Sequence, residues 1–297
     1  MRILRGCAPA IVAFAMVWVA GAAPVLGQAA APDVSDVHID GQYGTFPTFM
    51  PTDVSKNGHD VDLLLSILHV FMIVLFVGWG IFFVWCLFKF RARSGHTADY
   101  KLVKAKAPKY LEVAVALFEA FLLIGMSMPV WARVKNKLPT EADNPVHIRV
   151  VAEQFAWNFH YPGKDGVFGK VAPEFVDPVS NPMGIDPSDP KGKDDFVSGE
   201  LHVPVDRPVI TSITSKDVIH SFSIPVMRVK QDAIPGMRIK IWFQPVQTGT
   251  YEVACAQLCG NNHYSMRALM KIESQSDYEA WVEEMAKGPA EFDEDDL

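Results

Sequence analysis

The chain has 297 residues, 49% of them hydrophobic, and its 34 acidic and 27 basic residues give a net charge of −7. After Leu138 there are 25 acidic and 14 basic residues, so this part of the chain presents negative potential to its surroundings. That balance excludes nucleic acid as a partner and favours a basic protein. The apolar residues are unevenly placed, and no run after Leu138 is long enough to span a membrane.

The amino terminus has the pattern of an export signal. An apolar stretch, APAIVAFAMVWVAGAAPVLG, follows Arg2 and Arg5. Val25 and Gly27 are small residues ahead of a candidate cleavage point at Gln28. We interpret residues 1–27 as a signal peptide, with a retained membrane helix as the alternative, and residues 28–60 as a polar exterior segment.

Two later stretches are long enough to cross a bilayer, which takes about 20 residues. Residues 63–88 carry one histidine and no acidic or basic side chain, whereas residues 111–131 contain Glu112 and Glu119. The loop between them is basic, which places it in the cytoplasm by the positive-inside rule. Its basic residues are Lys89, Arg91, Arg93, Lys101, Lys104, Lys106 and Lys109. We therefore predict a transmembrane hairpin over residues 61–133 with both flanks outside.

The exterior part, residues 138–285, has the pattern of a β domain. The stretch 146–161 alternates and is rich in valine and aromatic residues. Four more short runs are typical of strands: RPVITSITS, HSFSIP, MRIKIWFQP and GTYEVACAQ. Such a series, separated by Pro, Gly and Asp, favours an antiparallel sandwich or barrel.

Two segments of the exterior part break this pattern. Residues 162–199 are crowded with Pro, Gly and Asp, which predicts an inserted surface loop. The sequence SDYEAWVEEMAKG predicts an amphipathic helix capped by Ser276. An acidic tail, residues 286–297, ends the sequence.

Two of the four cysteines have no special setting. Cys7 lies in the predicted signal peptide, and Cys86 lies in the first span, where a small apolar residue is ordinary packing. The other two, Cys255 and Cys259, are in the exterior domain. They could form a disulfide in an oxidising compartment or bind a metal. The residues next to them in the sequence are needed to distinguish these two interpretations.

The stretch CAQLCGNNHYSM adds a histidine and a methionine to the cysteine pair, namely His263 and Met266. Thiolate, imidazole and thioether together favour copper, whereas zinc has little use for a thioether. A second histidine must come from elsewhere, and His220 in DVIHSFSIP is the candidate. A zinc site and a disulfide remain the alternatives at this stage.

Three motifs, SKDVIHSFSIP, KQDAIPGMR and GTYEVACAQLCGNNHYSM, resemble subunit II of the haem–copper cytochrome c oxidases, and the resemblance covers about residues 50–285. It implies a two-helix transmembrane hairpin followed by an all-β cupredoxin domain that holds the dinuclear copper centre CuA. It also implies a bacterial-type plasma membrane location, with the copper domain on the periplasmic side.

The function that the resemblance implies is electron transfer within an oxidase complex. The subunit would accept electrons from an exterior c-type cytochrome or another bound redox donor and pass them to haem in subunit I, where oxygen is reduced to water. The implied partners are subunit I, other oxidase subunits, the donor and membrane lipid. No Cys-x-x-Cys-His motif occurs, so we expect a separate donor rather than a fused haem c domain.

Carried over by position, the resemblance implies a complete ligand set for two coppers. It consists of two bridging thiolates, one imidazole for each copper, a weak axial thioether and a weak axial backbone carbonyl. These ligands are Cys255 and Cys259, His220 and His263, Met266 and Gln257. Such a centre is closed to substrate, which suits electron transfer rather than bond making.

Other positions match the family in part. Gln257 replaces a glutamate that helps hold magnesium at the junction with subunit I, and an amide is a weaker magnesium ligand, so a magnesium site is an open question. Asp232 matches a residue at the same junction.

Phe155 replaces the usual electron-input tryptophan, and Trp157 keeps the position of the second tryptophan. For both residues, packing in the sandwich core is the alternative. Glu112 matches a glutamate near a proton-uptake path, with helix–helix hydrogen bonding as the alternative.

Two other protein classes share parts of this pattern. A quinol oxidase subunit II is a copper-free relative, and the intact Cys/His/Met set argues against it. A CuA protein similar to nitrous oxide reductase is disfavoured by the two spans and by the absence of a large extra domain.

Overall fold

The computed structural model describes residues 49–95, 97, 100 and 105–287. The predicted signal peptide, residues 1–27, lies outside the described residues. So do all but the first two residues of the predicted acidic tail, residues 286–297.

Two long apolar helices precede the β domain. Helix α1 (Gly58–Lys89) has 32 residues and helix α2 (Ala107–Asn136) has 30, and both are long and apolar enough to cross a membrane. Helix α2 includes a π-helical stretch, Phe121–Ser127, in its middle. The two helices touch where the rings of Phe71 and Phe118 lie 4.6 Å apart. Both predicted spans fall within these helices.

The described part of the exterior domain is a sandwich of two five-stranded sheets. The first has the order β3-β2-β1-β5-β8 and the second β4-β10-β9-β6-β7. The strands are β1 (Val146–Glu153), β2 (Ala156–Tyr161), β3 (Phe196–Ser198), β4 (Leu201–Pro204), β5 (Val209–Ser215), β6 (His220–Ile224), β7 (Val229–Ala233), β8 (Ile239–Phe243), β9 (Gly249–Cys255) and β10 (Arg267–Glu273). The predicted fold class, a two-helix hairpin followed by a β sandwich, is confirmed.

The structure differs from the sequence prediction in its local detail. The stretch 146–161 is a hairpin of β1 and β2 rather than one alternating run. Two strand pairs, β1–β5 and β4–β10, are parallel, so neither sheet is purely antiparallel. The end of the predicted insert forms β3, which pairs with β2. The cap of the last helix, α3 (Gln275–Met285), is Ser274 and not Ser276, because the Ser274 hydroxyl accepts a hydrogen bond from the Asp277 N–H.

The core lies between the two sheets. Trp157, Phe159 and Tyr161 alternate along β2 and are buried on its inner face. Phe222 of the second sheet meets Trp157 and Phe159 edge-on, with ring centroids 5.5 and 6.4 Å apart. These aromatic contacts join the sheet that carries β2 to the sheet that carries β6.

A buried ion pair joins the β domain to the first membrane helix. The guanidinium of Arg228, in the turn between β6 and β7, donates two hydrogen bonds of 2.7 Å to the carboxylate of Asp62 on α1. It also donates to the carbonyl oxygens of Pro51 and Pro225. The Arg228 side chain is 3% exposed and that of Asp62 is 23% exposed. The pair therefore ties α1, the segment before it and the β6–β7 hairpin together.

We predict that Arg228→Gln destabilises the attachment of the β domain to the helices. A buried pair that loses one partner leaves an uncompensated charge, which costs about 3–5 kcal/mol when burial is complete and about 2 kcal/mol here because Asp62 retains some solvent. Thermal unfolding of the full-length protein in detergent, with limited proteolysis of residues 49–57, measures the change.

The matched control is Arg133→Gln, which breaks the ion pair of Arg133 on α2 with Asp60 on α1. The Arg133 side chain is 63% exposed, so this substitution should cost less than about 1 kcal/mol. Equal effects of the two substitutions would contradict an anchoring role for Arg228.

Candidate metal centre

The second sheet brings distant ligand candidates together at one end. His220 begins β6, Cys255 ends β9 and Met266 immediately precedes β10. Cys255 pairs with Phe222 in the β6–β9 register. Its N–H donates to the Met266 carbonyl oxygen at 3.1 Å. Strand pairing alone therefore places an imidazole, a thiol and a thioether side by side.

The donor atoms of these side chains converge in the interior. The Nδ1 atom of His220 lies 3.1 Å from the Met266 sulfur and 3.9 Å from the Cys255 sulfur. The sulfurs of Cys255 and Cys259 are 3.9 Å apart, and the Cys259 sulfur is 3.8 Å from that of Met266. All four side chains are buried. The group excludes water and presents soft donors, which suits copper.

The loop between β9 and β10 supplies the remaining candidates. A single 3-10 turn, His263–Ser265, places the Nδ1 atom of His263 3.6 Å from the Cys259 sulfur. The carbonyl oxygen of Gln257 lies 3.1 Å from the Cys255 sulfur. The structure therefore brings together all six predicted ligand positions.

An acidic residue orients one of the two imidazoles. The Nε2 atom of His220 lies 2.9 Å from a carboxylate oxygen of Asp217. When Nε2 carries the hydrogen and donates it to Asp217, Nδ1 is left free to face the sulfur atoms. The ring of Trp157 meets that of His220 edge-on at 6.3 Å and limits its rotation. Asp217 and Trp157 therefore hold His220 in the orientation that a metal ligand needs.

The turn between β1 and β2 supports the ligand loop from the other sheet. The side-chain amide of Gln154 donates to the Cys259 carbonyl oxygen, and its backbone N–H donates to Asp217 at 2.7 Å. Phe155 packs on Gly260, where a Cβ would lie 2.9 Å from the phenylalanine ring. Gly260 also has φ +145, which favours glycine. A side chain at position 260 would therefore push the loop away from Phe155.

The two thiols differ in acidity. Burial opposes ionisation of Cys255, but hydrogen bonds from the imidazolium form of His220 and from backbone N–H groups outweigh it and lower its pKa to about 6. Burial and the adjacent Cys255 thiolate raise the pKa of Cys259 to about 12. Ionisation of the second thiol therefore needs a compensating positive charge, which a bound metal ion supplies.

The donor set also discriminates between the rival interpretations. Both cysteines are free thiols. Zinc would accept the two thiolates and two imidazoles, but it has little use for the buried thioether of Met266, whose sulfur lies 3.1 Å from the His220 Nδ1 atom and 3.8 Å from the Cys259 sulfur. The donor set therefore fits copper better than zinc.

The other predicted site residues have varied surroundings. Phe155 lies in the turn before β2. The alternating pattern had instead predicted that Phe155 and Trp157 share one face of a strand. Trp157 is buried at 2% exposure, whereas Phe155 is only partly buried. Asp232 on β7 accepts a hydrogen bond of 2.8 Å from the Ser221 hydroxyl. Glu112 is exposed on α2.

Two supporting residues, Asp217 and Gln154, had no role predicted from the sequence. The signal for Asp217 was present in the spacing Asp-x-x-His before the strand, because a carboxylate three residues from a metal-binding histidine can orient its ring. Gln154 left no such signal, since its hydrogen bond to Cys259 spans 105 residues.

We predict that Asp217→Asn lowers the metal affinity of this site about 10- to 100-fold, the usual effect of losing a charged partner behind a histidine ligand. Copper titration of the full-length protein against a competing chelator measures it. Asp186→Asn is the control, because Asp186 binds Ser188 within the insert. Unchanged affinity in Asp217→Asn would show that Asp217 does not support the ligand.

Comparison with known proteins gives a consistent result. Residues 146–273 match the family model described as cytochrome C oxidase subunit II, periplasmic domain. The chain is 34% identical over 244 residues to the alternative cytochrome c oxidase subunit 2 of Bradyrhizobium diazoefficiens, which covers 80% of this chain and 86% of that protein. It is 30% identical over 270 residues to the cytochrome c oxidase subunit 2 of Synechocystis. That match covers 84% of this chain and 79% of the Synechocystis protein.

A solved structure of the periplasmic domain of subunit II of cytochrome oxidase of Bradyrhizobium japonicum is 28% identical, with a TM-score of 0.36, over 48% of this chain and 94% of that one. The match to the Bradyrhizobium diazoefficiens protein spans most of both chains and includes the helices as well as the β domain. The chain therefore belongs to the cytochrome c oxidase subunit II family and is part of an oxidase complex.

Proposed function

We propose that this subunit carries a dinuclear copper centre, accepts electrons there from an exterior c-type cytochrome or another bound redox donor, and passes them to haem in subunit I for the reduction of oxygen to water. The observation that carries this proposal is the convergence of two thiols, two imidazoles and a thioether at one end of the second sheet, where each of these groups has a donor atom of another within 4 Å.

The ligands of the proposed centre are Cys255, Cys259, His220, His263, Met266 and the carbonyl oxygen of Gln257. When bound, a thiolate-bridged copper pair supplies reversible one-electron transfer, with the electron shared between the two ions. The protein supplies rigidity, because His220, Cys255 and Met266 are each fixed by strand pairing. It also keeps water away from the sulfurs, since these side chains are buried.

Electron input is assigned to the Phe155 side of the site. The Phe155 ring rests on Gly260, within the ligand loop, and keeps part of its surface exposed. Trp157 is too deeply buried to touch a donor. Its role in electron input is to extend the electron path from the surface to His220, which its ring contacts.

Contact with subunit I is assigned to the Asp232 side of the site. The Ser221 hydroxyl donates to Asp232, and the Ser221 carbonyl oxygen accepts from the Ala256 N–H, so this side is bonded directly to the ligand loop. A magnesium ion at this junction would have to be held without a carboxylate at Gln257. A proton-uptake role for Glu112 rests on its position in the family alone.

The remaining assignments follow from the helices and the family. The two long apolar helices support a membrane location, and we assign the chain to a bacterial-type plasma membrane, with the copper domain on the periplasmic side. Its partners there are subunit I, other oxidase subunits and lipid.

The copper proposal predicts a stoichiometry. Full-length protein in detergent should bind two copper ions, and its half-reduced form should give an EPR spectrum in which one unpaired electron is shared by two copper nuclei. Cys255→Ser should abolish the shared signal, because one thiolate cannot bridge the pair. Met266→Leu should keep two coppers and shift the reduction potential, since only a weak ligand is removed.

Cys86→Ser is the control, because it removes a thiol from α1 and leaves the site unchanged. One tightly bound zinc ion per chain, or a disulfide between Cys255 and Cys259 that copper does not displace after reduction, would contradict the proposal.

The proposed entry of electrons at Phe155 predicts a separate effect of substituting this residue. Phe155→Ala should slow reduction of the copper centre by its donor at least about tenfold, because it removes the ring that covers the ligand loop. The EPR spectrum of the centre should be preserved, and Phe155→Trp should retain the rate. Stopped-flow reduction of the assembled oxidase measures this. Phe175→Ala, an exposed ring on the insert, is the control. Equal rates in all three variants would place electron input elsewhere.

A further inference from the structure

The insert between β2 and β3 is a folded structure attached to the outer face of the first sheet. Asp195, near its end, receives a hydrogen bond of 2.7 Å from the Nε2 atom of His160 on β2, and both side chains are fully buried. The same carboxylate accepts the N–H of Gly169 at 2.9 Å. One buried acidic group therefore joins both ends of the insert to the sheet.

This attachment holds one arginine in place. The ring of Phe168 meets His160 edge-on at 5.0 Å, and the guanidinium of Arg149 on β1 lies over the same ring, 4.1 Å from its centroid. Arg149 also donates to the Gly169 carbonyl oxygen at 3.4 Å. The guanidinium is therefore positioned by the insert rather than free in solvent.

Four cationic side chains line one open cleft of about 560 Å³ beside this arginine. Arg149 comes from the sheet, Lys170 and Lys191 come from the insert, and Arg238 lies just before β8. Within the described ranges, no carboxylate forms an ion pair of 4.0 Å or less with any of the four. Burial and the nearby Arg238 lower the pKa of Arg149, as expected where like charges converge.

The carboxylates near the cleft are already used by other groups. Asp195 is bonded to His160 and Gly169 behind the cleft. Asp189 accepts the backbone N–H groups of Lys170 and Lys191 at 2.9 and 3.2 Å, which lowers its pKa. Four cations against two carboxylates leave an excess positive charge of two in a domain that is otherwise acidic.

We propose that the insert and the first sheet form a binding site for a phosphate group, contacted by Arg149, Lys170, Lys191 and Arg238. A phosphate group carries one negative charge as a diester and up to two as a monoester, so the excess positive charge of two attracts either form. The planar fork of an oriented arginine suits its oxygen atoms, while the lysines act as mobile point charges. The group could belong to a soluble diphosphate or to an anionic phospholipid headgroup, and these two sources share the same chemistry.

The test uses pyrophosphate as the probe and full-length protein in neutral detergent at low ionic strength, because salt screens charge–charge interactions. Calorimetry should detect one saturable site per chain. The double substitution Lys170→Gln and Lys191→Gln should weaken binding at least about tenfold, because it removes two charge-assisted hydrogen bonds to the phosphate oxygens. Both lysines are exposed, so the variant should fold.

Lys193→Gln is the matched control, because it removes the same charge from the same insert but does not line the cleft. Arg149→Gln should weaken binding by at least as much as the double substitution. No saturable binding, or equal binding by the double variant and the control, would overturn the proposal. Loss of binding on assembly into the oxidase would also overturn it, by assigning the cations to another subunit.

Bilayer discs separate the two sources of phosphate. If a lipid headgroup occupies the cleft, discs with anionic phosphatidylglycerol should weaken pyrophosphate binding by the unsubstituted protein, relative to discs of zwitterionic lipid. Equal affinity in the two kinds of disc would support a soluble ligand.

Discussion

The register between β6, β9 and β10 is the constraint on which the rest of the site depends. It pairs Phe222 with Cys255 and bonds Cys255 to Met266, so one alignment sets the positions of an imidazole, a thiol and a thioether. A slip of one residue would turn every side chain of the moved strand to the other face. The buried aromatic contacts of Phe222 with Trp157 resist such a slip, and the core of the sandwich therefore stabilises the site geometry.

The same strands also relate the site to the membrane. The β6–β7 hairpin holds His220 at one end, and its turn holds Arg228, which is bonded to Asp62 on the first membrane helix, at the other. Five residues of strand span about 16 Å. The hairpin keeps the distance between the first helix and the site constant, which the proposed electron transfer needs because its rate falls steeply with distance. In the proposed function the ion pair of Arg228 with Asp62 would act by fixing the position of the site, and not through the chemistry of the ligands.

Elements whose signals are local could be predicted from the sequence. The ligand loop has close spacing, and the strand runs before it are bounded by Pro, Gly and Asp, so β5, β6, β8 and β9 were recognisable. The turn at Gln154 and Phe155 was missed because it contains no Gly, Pro or Asn, and the alternation of residue types continues across it. The parallel pairing of β1 with β5 joins Val146 to Val209, and nothing in either segment encodes that choice.

The charge of the exterior domain shows why composition cannot locate a binding surface. Much of the acidity of the insert is used within it, because Asp177, Asp186, Asp189 and Asp194 each accept backbone N–H groups of nearby loops. These carboxylates replace the missing strand hydrogen bonds of a segment rich in Pro and Gly. Lys164 of the same segment pairs with Glu283, whereas Lys170 and Lys191 converge with two arginines on one cleft. A domain with a net negative charge therefore presents one positively charged cleft, because the acidic groups of the insert satisfy the backbone while the four cations of the cleft have no ion-pair partner among the described residues.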